Sequence, residues 1–450
     1  MLLKTPHIAF RGLFVLLAAT MIAACSDIDL DFNYAPDPGI QEGSDLRKPS
    51  SAQRRVFVYM GLGYNNLSSY LSSDIEEIAS NGLPGWKWQE DVLLIFSHKT
   101  AKYVDYSTPT SPTLTRIYCD WNGSVIRDTL LVFDDNTVSA SAGTINEVLT
   151  YVKENFPAES YGMLLSSHGT GWAPACYCNS PSKFEGNISS GDYWSVQRKY
   201  PYIPKPFLED LSVNGKPAVK SFGVQNASRY ETTEIDITDL ADAIPMKMDY
   251  IIFDACLMGG IEVAYELRKV CDKIVFSQTE ILADGMDYKS LTQYLFNKEG
   301  TDLKGFSENF FRYYDSKTGD NRSATISLVD CSKLEQLASV CRGIFEANRD
   351  AITALSPGSS VQKYFRDSNL GWFYDMRDII RKSGATQEQL TDFDNSLKQC
   401  IIYRSATSRF LELKINTHCG MSMYLPYPTR TYLNNFYKTL EWNKATGLVQ

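Results

Sequence analysis

The feature that most constrains the fold is a series of short apolar runs that alternate with helical patterns. The runs at 162–166, 250–253 and 273–276 are almost continuously apolar, as strands buried on both faces of a sheet should be. Further strand candidates lie at 56–60, 92–96 and 325–329, and helical spacing is found at 67–78, 144–155 and 334–345. This alternation predicts an α/β fold in which helices cover a mostly parallel sheet.

The size of the chain limits the number of domains. The whole chain contains 44% hydrophobic and 12% aromatic residues. The part from residue 54 onward is therefore expected to build one large core. We expect a first unit at 54–300 and a C-terminal α/β extension at 301–450 that packs on it as an added layer. Between 173 and 219 the pattern gives way to Pro, Asn, Ser and Gly, which predicts a long exposed loop.

The N-terminal sequence predicts where the protein is located. Two basic residues precede an apolar run that ends at Ala24, which is typical of a signal peptide at 1–24. Ile22-Ala23-Ala24-Cys25 resembles the bacterial lipobox, whose cysteine becomes the acylated first residue. We therefore expect a lipid anchor at Cys25, a flexible stalk at 25–53, and a place in the cell envelope, at the outer membrane or surface of a gram-negative bacterium. The alternative is an ordinary secretory peptide followed by a chance cysteine.

Charge and cysteine usage exclude several classes of protein. The net charge of −9 and the pI near 5.2 provide no basic surface for nucleic acid and mildly favour cationic substrates. Ten cysteines are present, and once Cys25 is lipidated an odd number remains, so at least one free thiol or an intermolecular pair is expected. The spacings contain no C-x-x-C, and Cys176 and Cys178, one residue apart, would chelate a metal poorly. The sequence therefore predicts no metal site.

A histidine and a cysteine follow two of the predicted central strands. His168 comes directly after the run at 162–166 and before Gly169-Thr170-Gly171-Trp172, and Cys256 comes after the run at 250–253. In open α/β sheets, sites form at the carboxyl ends of the strands. A neighbouring imidazolium and a helix N-terminus would lower the pKa of a thiol and raise its thiolate fraction. The pair is therefore a candidate nucleophile and base.

Other interpretations of these residues exist. A buried structural cysteine is commoner than a catalytic one. His418 and Cys419 are adjacent, so on an extended segment their side chains point to opposite faces and cannot easily bond each other. His98 also ends a strand but has no glycine turn beside it, and it is most simply a surface or core histidine.

Two local sequences favour the catalytic interpretation. Ser167-His168-Gly169-Thr170-Gly171-Trp172 and Asp254-Ala255-Cys256-Leu257-Met258 resemble the His-Gly-x-Gly-Trp and Asp-x-Cys-x-Met blocks of the clostripain family of cysteine peptidases. The similarity continues in order over 54–428. It implies a caspase-like three-layer α/β sandwich, as in caspases, legumains and gingipains, with histidine before cysteine on adjacent strands. The unit at 54–300 would then be the catalytic domain.

The resemblance also implies roles for individual residues. His168 would be the general base and Cys256 the nucleophile, with the backbone amides of Gly169 and Cys256 as oxyanion donors. Such an oxyanion needs preorganised N–H groups, and glycine gives access to them. Asp254 matches the acidic residue at the floor of the substrate pocket, where a carboxylate selects Arg or Lys. The simpler interpretation of Asp254 is that it orders the turn between strand and helix.

The sequence departs from the family at 277–286, where the usual acidic pair, proline and Gly-Trp are absent. Glu280 and Asp284 could still supply charge to the substrate pocket, although either fits the role of a solvated loop carboxylate. The sequence requires no cofactor, and it leaves open a calcium requirement, which some relatives show.

The sequence as a whole predicts a cysteine endopeptidase that cleaves proteins or peptides after Arg or Lys. Self-cleavage in the loop between Trp172 and Ser221 is a further expectation, because this stretch holds several lysines and arginines and relatives are nicked between histidine and cysteine. Two alternatives stay open. One is a non-catalytic surface lipoprotein that binds peptide or glycan on the same fold, and the other is a different hydrolase or acyltransferase that uses the same thiol.

Overall fold

The computed structural model describes most of the chain beyond residue 52. The described residues are 53–62, 67–85, 91–98, 111–135, 137–175, 177–179, 181–185, 225–228, 231–356, 360–366 and 371–450. The predicted signal peptide at 1–24 and Cys25 lie outside them, as does the stalk at 25–53 except for Gln53, which begins the first strand.

The strands are β1 (Gln53–Leu62), β2 (Asp91–His98), β3 (Thr113–Cys119), β4 (Val125–Val132), β5 (Ala158–Ser166), β6 (Gln225–Ser228), β7 (Glu231–Thr233), β8 (Met248–Asp254), β9 (Cys271–Phe276), β10 (Thr325–Asp330), β11 (Tyr374–Asp375), β12 (Ile401–Ala406), β13 (Arg409–Phe410), β14 (Leu413–Lys414) and β15 (Ser422–Met423). The helices are α1 (Ser68–Ala79), α2 (Ala142–Asn155), α3 (Pro181–Glu185), α4 (Ile237–Ala243), α5 (Ile261–Leu267), α6 (Tyr288–Leu295), α7 (Leu303–Asp315), α8 (Leu334–Ala354), α9 (Met376–Lys382), α10 (Gln387–Cys400), α11 (Thr431–Thr439) and α12 (Glu441–Thr446). Short 3-10 helices lie at Tyr177–Asn179, Gly319–Asn321 and Cys331–Lys333.

Nine strands form the central sheet, in the order β12-β10-β9-β8-β5-β1-β2-β3-β4. The five middle strands, from β9 to β2, are parallel to one another. The two strands at each side are antiparallel to their neighbours. The predicted α/β fold with a mostly parallel sheet is confirmed, and the antiparallel hairpin of β3 and β4 is an addition that the apolar runs did not indicate.

The middle strands form because their side chains are buried from both faces. In β8, Ile251 and Ile252 have no exposed surface, and neither do Met163 and Leu164 in β5. Burying a side chain of this size stabilises the fold by about 1.5–3 kcal/mol. Such strands have little freedom to slip, so the residues that follow them are held in fixed positions at the edge of the sheet.

Helix α2 shows how the flanking layer is specified. Ile145, Val148, Leu149 and Val152 lie on one buried face, which is the spacing that the sequence predicts. The helix begins after Ser141, whose hydroxyl accepts a hydrogen bond from the backbone N–H of Thr144 at 3.2 Å. A cap of this type stabilises a helix by about 1 kcal/mol.

The C-terminal third adds strands to the same sheet. Strands β10 and β12 extend it beyond β9, and α8 and α10 contact each other. This region therefore continues the central sheet as well as adding helices to it. The boundary at residue 300 stays a prediction.

The beginning of the predicted exposed loop is not exposed. Tyr177 and Phe184 are buried, and the ring of Tyr177 stacks on Tyr432 with a centroid distance of 5.8 Å. The prediction of an exposed loop at 173–219 is therefore wrong for its first part, because these aromatic side chains find partners in the C-terminal helices. The later part of this loop lies outside the described residues.

Two further features of the described residues concern helix hydrophobicity and the cysteines. No helix in the described part of the chain combines the length and the apolar character that a membrane span needs. The eight cysteines for which the structure describes the side chain are all free thiols and all buried.

Candidate active site

The register of two adjacent strands places the candidate residues. Strands β5 and β8 are parallel neighbours, and Ser166 lies opposite Asp254 at their carboxyl ends. His168 and Cys256 are each the second residue beyond that pair. The backbone N–H of Ser167 donates to the carbonyl oxygen of Asp254 at 3.4 Å, so the two loops begin side by side.

Glycines allow the histidine loop to pack against the cysteine loop. A Cβ atom on Gly169 would lie 2.5 Å from the carbonyl oxygen of Cys256 and 3.1 Å from its backbone nitrogen. Gly171 has a φ of +62°, and a Cβ there would lie 2.6 Å from the carbonyl oxygen of Leu257. Any other residue at position 169 would push the two loops apart, and position 171 needs a left-handed backbone that glycine adopts without strain.

Trp172 anchors the histidine loop to the C-terminal part of the molecule. Its ring is fully buried and lies 4.9 Å from the rings of both Tyr424 and Tyr437, measured between centroids. Phe373 packs against the same indole at 6.3 Å. Aromatic contacts of this kind stabilise by about 0.5–1.5 kcal/mol each beyond the area they bury, so the loop that carries His168 is held firmly.

The thiol of Cys256 is buried and contacts the turn after β9. Its Sγ accepts a hydrogen bond from the backbone N–H of Ile281 at 3.2 Å, and the side chain has no exposed surface. An N–H group that points at sulfur favours the thiolate form. Ile281 is absent from the sequence predictions because this contact is made by the backbone, which every residue type possesses.

The turn after Cys256 is tightly fixed. Leu257 has a φ of +61°, a conformation that costs a branched residue about 1–2 kcal/mol. Two hydrogen bonds hold it there: the N–H of Leu257 donates to Thr279 O at 3.0 Å, and the N–H of Gly259 donates to Ser277 O at 2.7 Å. Strain of this kind at the residue after the candidate nucleophile is typical of a functional turn.

Asp254 is fully buried beneath the two loops. Its Oδ2 accepts a hydrogen bond from the hydroxyl of Ser166 at 2.9 Å and another from the hydroxyl of Tyr288. Burial, and then the charge of Asp254, raise the pKa of Tyr288 well above its ordinary value. The phenol therefore stays protonated and can donate to the carboxylate at any physiological pH.

The two other predicted pocket residues differ from Asp254. Glu280 is buried, and the guanidinium of Arg366 binds it with two hydrogen bonds of 2.5 and 2.9 Å. Asp284 is exposed on the same turn, which is the position of a solvated loop carboxylate. Arg366 was not among the sequence candidates, because it lies 86 residues from its partner.

A buried glutamate lies behind the histidine loop. Glu262, on α5, has no exposed surface and accepts hydrogen bonds from the backbone N–H of Tyr424 and the hydroxyl of Tyr437, both at 2.8 Å. Burial raises its pKa to about 7, although these hydrogen bonds act in the opposite direction. Glu262 thus supports the two tyrosines on which Trp172 packs.

The other histidines are engaged elsewhere. His98 is buried and its Nδ1 lies 3.0 Å from the hydroxyl of Ser139, so it is a core histidine. His418 Nε2 lies 2.7 Å from Gln278 Oε1, and burial, with a smaller effect of Arg404, lowers its pKa to about 3. The thiol of Cys419 contacts the carbonyl oxygen of Met421 at 3.1 Å, so the hydrogen bonds described for this pair are made with other residues.

A small cavity of about 90 Å³ lies beside His168. Its lining includes Gly169 and Gly171 of the histidine loop together with Glu234 and Ile235. Among the described residues, no group of three or more His, Cys, Asp and Glu side chains is arranged to hold a metal ion.

Comparisons with known proteins agree with this geometry. The sequence profile of the clostripain family matches residues 58–183 and 216–447. Comparison with curated protein sequences gave no match.

Solved structures of the same family superpose on the chain. An inactive zymogen of a C11 protease from Parabacteroides distasonis is 29% identical, with a TM-score of 0.65, over 88% of this chain and 99% of that one. A secreted C11 cysteine protease from Bacteroides thetaiotaomicron, "iotapain", is 27% identical with a TM-score of 0.66 over the same shares. A secreted C11 cysteine protease from Bacteroides thetaiotaomicron, solved in complex with an irreversible peptide inhibitor, is 20% identical with a TM-score of 0.65, again over 88% and 99% of the two chains, and supports the fold alone.

The fold, the order of histidine before cysteine and the match of the family profile lead to one conclusion. The chain belongs to the clostripain family of cysteine peptidases.

Proposed function

We propose that Cys256 and His168 are the catalytic dyad of an endopeptidase that cleaves after Arg or Lys. The observation that carries this proposal is the register of β5 and β8, which brings both residues to one edge of the sheet. The contact of Gly169 with the backbone of Cys256 supports it, because it keeps the two loops together when a substrate binds.

In this mechanism His168 accepts the proton of the Cys256 thiol, and the thiolate attacks the carbonyl carbon of the scissile bond. The backbone N–H groups of Gly169 and Cys256 would stabilise the oxyanion of the tetrahedral intermediate. His168 then gives its proton to the leaving amine, which leaves an acyl-enzyme thioester. A water molecule, deprotonated by His168, hydrolyses the thioester and regenerates the thiol.

The preference for a cationic side chain rests on Asp254. Its carboxylate lies at the end of β8, two residues before the nucleophile, and its described hydrogen bonds come from hydroxyl groups. A carboxylate in this position can select a guanidinium or ammonium group through a charge-assisted interaction.

The dyad is tested with Cys256→Ala and His168→Ala. Each should lower kcat for a fluorogenic peptide with Arg before the scissile bond by at least about 10³-fold, because both residues act as one unit. Circular dichroism must show that both variants fold. Turnover within tenfold of wild type in either folded variant would refute the dyad.

A binding protein on the same fold is the competing function. Labelling by a thiol-reactive peptidyl ketone distinguishes it from the peptidase, because only an activated thiolate reacts at a useful rate. Wild type should be labelled at Cys256, and the label should be lost in His168→Ala. Equal slow labelling of both proteins would favour the binding function.

Self-cleavage between Trp172 and Ser221 is part of the proposal. Contacts made near the two ends of this segment suggest that the fold tolerates a cut within it. The backbone N–H of Ala175 donates to Asp236 Oδ1 at 2.7 Å, and β5 and β8 on either side pair in the sheet. The two fragments should therefore stay associated. New N-termini in purified wild type that are missing from Cys256→Ala would support self-processing, and identical fragments in both would exclude it.

We also propose that Cys25 is lipidated and holds the enzyme at the cell envelope. The wild type should partition into detergent, and Cys25→Ser should be released or keep its signal peptide. A wild type found wholly in the aqueous phase would contradict the anchor.

A further inference from the structure

A larger cavity shares no lining residue with the small cavity beside His168 and has no role in the dyad. It has a volume of about 580 Å³ and opens between the segments 360–366 and 412–417. Five basic residues line it: Lys363, Arg366, Arg381, Lys382 and Lys414. Two carboxylates, Asp378 and Glu412, line it as well.

Most of these charges compensate one another. Asp378 is buried and receives Arg381 Nη2 at 2.6 Å and Lys382 Nζ at 3.0 Å. Arg366 lies 3.5 Å from Glu412, in addition to its bonds to Glu280. Within the described part of the chain, no carboxylate lies in salt-bridge range of the remaining two cations.

Those two cations are Lys363 and Lys414, and one buried side chain holds their segments together. Gln362 donates from Nε2 to the carbonyl oxygens of Lys363 and Lys414, at 2.8 and 3.0 Å. Its Oε1 accepts from the backbone N–H of Asn416 at 2.7 Å. The two lysines therefore line one cavity on a backbone that is already fixed, so less ordering is needed when an anion binds there.

Side-chain contacts link the cavity with both loops of the candidate active site. On the cysteine side, Arg366 lines it and binds Glu280, which directly precedes the Ile281 amide that contacts Cys256 Sγ. On the histidine side, Tyr374 lines it, and its neighbour Phe373 packs on Trp172. A subsite here requires that an extended peptide bound at the dyad continues toward the cavity, and each residue of such a chain spans about 3.3 Å.

We infer that this cavity is a second substrate subsite, which accepts an acidic side chain near the scissile bond through Lys363 and Lys414. This inference rests on the proposed peptidase function and refines it. The substrate would then carry a basic residue at the cleavage point and an acidic residue at one of the three positions before it.

The test uses fluorogenic peptides with Arg fixed before the scissile bond and Glu, Ala or Lys at each of the three preceding positions. At one position, wild type should show a kcat/KM for Glu that exceeds the value for Lys by about threefold to tenfold, as expected for partly exposed ion pairs. The ratio should fall when the salt concentration rises. In Lys363→Glu/Lys414→Glu the preference should invert at that position.

Lys398→Glu/Lys438→Glu is the matched control for the charge change, because both lysines are exposed, on α10 and α11, and do not line the cavity. It should keep the wild-type ratio. Melting temperatures of both variants show whether they fold. Equal kcat/KM values for Glu and Lys at all three positions, in a wild type that cleaves after Arg, would overturn the subsite and leave the peptidase proposal standing.

Binding provides a second measurement that does not depend on turnover. The Glu peptide, labelled with a fluorophore, should bind Cys256→Ala more tightly than the Lys peptide, as measured by anisotropy. The Lys363→Glu/Lys414→Glu substitutions in that background should reverse the order. Equal affinities would overturn the subsite. Absence of any cleavage by wild type would contradict the peptidase proposal alone.

Discussion

The turn at the end of β8 and the turn after β9 leave the sheet at the same edge, and each carries a buried carboxylate. Asp254, the last residue of β8, is bonded by the hydroxyls of Ser166 and Tyr288. Glu280 in the turn after β9 is bonded twice by the guanidinium of Arg366. The donors described for Asp254 are neutral hydroxyls, whereas Glu280 forms an ion pair.

This difference bears on substrate choice. Glu280 already forms an ion pair with Arg366, whereas Asp254 lies two residues before the candidate nucleophile, where a carboxylate can select a cationic side chain. The turn after β9 is also where the sequence departs from the family pattern. We therefore expect the preference for Arg or Lys to depend on the turn at the end of β8, which contains Asp254. The turn after β9 instead positions the backbone N–H of Ile281 against Cys256 Sγ.

The largest expected effect is on kcat/KM, and it should differ between variants of Asp254 and of Glu280. Asp254→Asn should lower kcat/KM for peptides with Arg or Lys before the scissile bond by about 30-fold to 1000-fold, because a buried charge partner is worth roughly 2–5 kcal/mol. Glu280→Gln is the matched control and should change this value by less than about threefold, since its charge is already paired. The measurement is steady-state kinetics with Arg, Lys and Leu peptides.

Alkylation of Cys256 by iodoacetamide serves as the internal reference for these variants. Its rate should stay close to wild type in Asp254→Asn, because the reagent is uncharged and does not need the pocket. A larger loss of Arg cleavage in Glu280→Gln than in Asp254→Asn would reverse the assignment of the two turns.

The second effect concerns stability. Arg366→Met should reduce the free energy of unfolding by about 3–5 kcal/mol, because it leaves Glu280 buried without its cation. Adding Glu280→Gln to this variant should restore most of the loss, because the uncompensated charge disappears. Urea denaturation of the four proteins gives the coupling energy. Independent, additive effects of the two substitutions would show that the ion pair does not hold the β9 turn.

These two turns also show how far the sequence could predict the site. The placement of His168 and Cys256 at one edge of the sheet was predictable, because each follows an apolar run, and parallel strands bring their carboxyl ends to one edge; their catalytic roles stay a prediction. The bond of Arg366 to Glu280 spans 86 residues, and no local pattern encodes a contact of that range. The contact of Ile281 with Cys256 is made by a backbone amide, which leaves no trace in residue identity.

The error at 173–185 has a related cause. Pro, Ser and Asn in this stretch are typical of a loop, but the burial of Tyr177 and Phe184 depends on Tyr432 and Trp372, which lie far away in the sequence. Isolated aromatic residues without periodicity give no sign of the partners they will find. Tertiary packing therefore decided the structure of this segment.

The smallest expected effect is on the pH dependence of stability. It concerns a third buried carboxylate, Glu262, which lies behind the histidine loop. Its pKa of about 7 lies above the ordinary value of 4.5 because burial disfavours the charge. Between these values the folded protein binds more protons at this site than the unfolded chain, so the free energy of unfolding falls as pH rises from 4.5 to 7. A shift of this size corresponds to about 3–4 kcal/mol over the whole pH range.

Glu262→Gln should abolish this part of the pH dependence. The amide oxygen of glutamine can still accept from the N–H of Tyr424 and the hydroxyl of Tyr437, which now bond Glu262 at 2.8 Å, while no charge forms at high pH. Relative to wild type, the variant should therefore gain about 2–3 kcal/mol between pH 5 and pH 8 in urea denaturation. Glu388→Gln, which replaces an exposed glutamate in the first turn of α10, is the control and should give a curve parallel to wild type. If the Glu262→Gln curve also ran parallel to wild type, Glu262 would ionise at its ordinary pKa, and the support it gives to Tyr424, Tyr437 and Trp172 would be independent of pH.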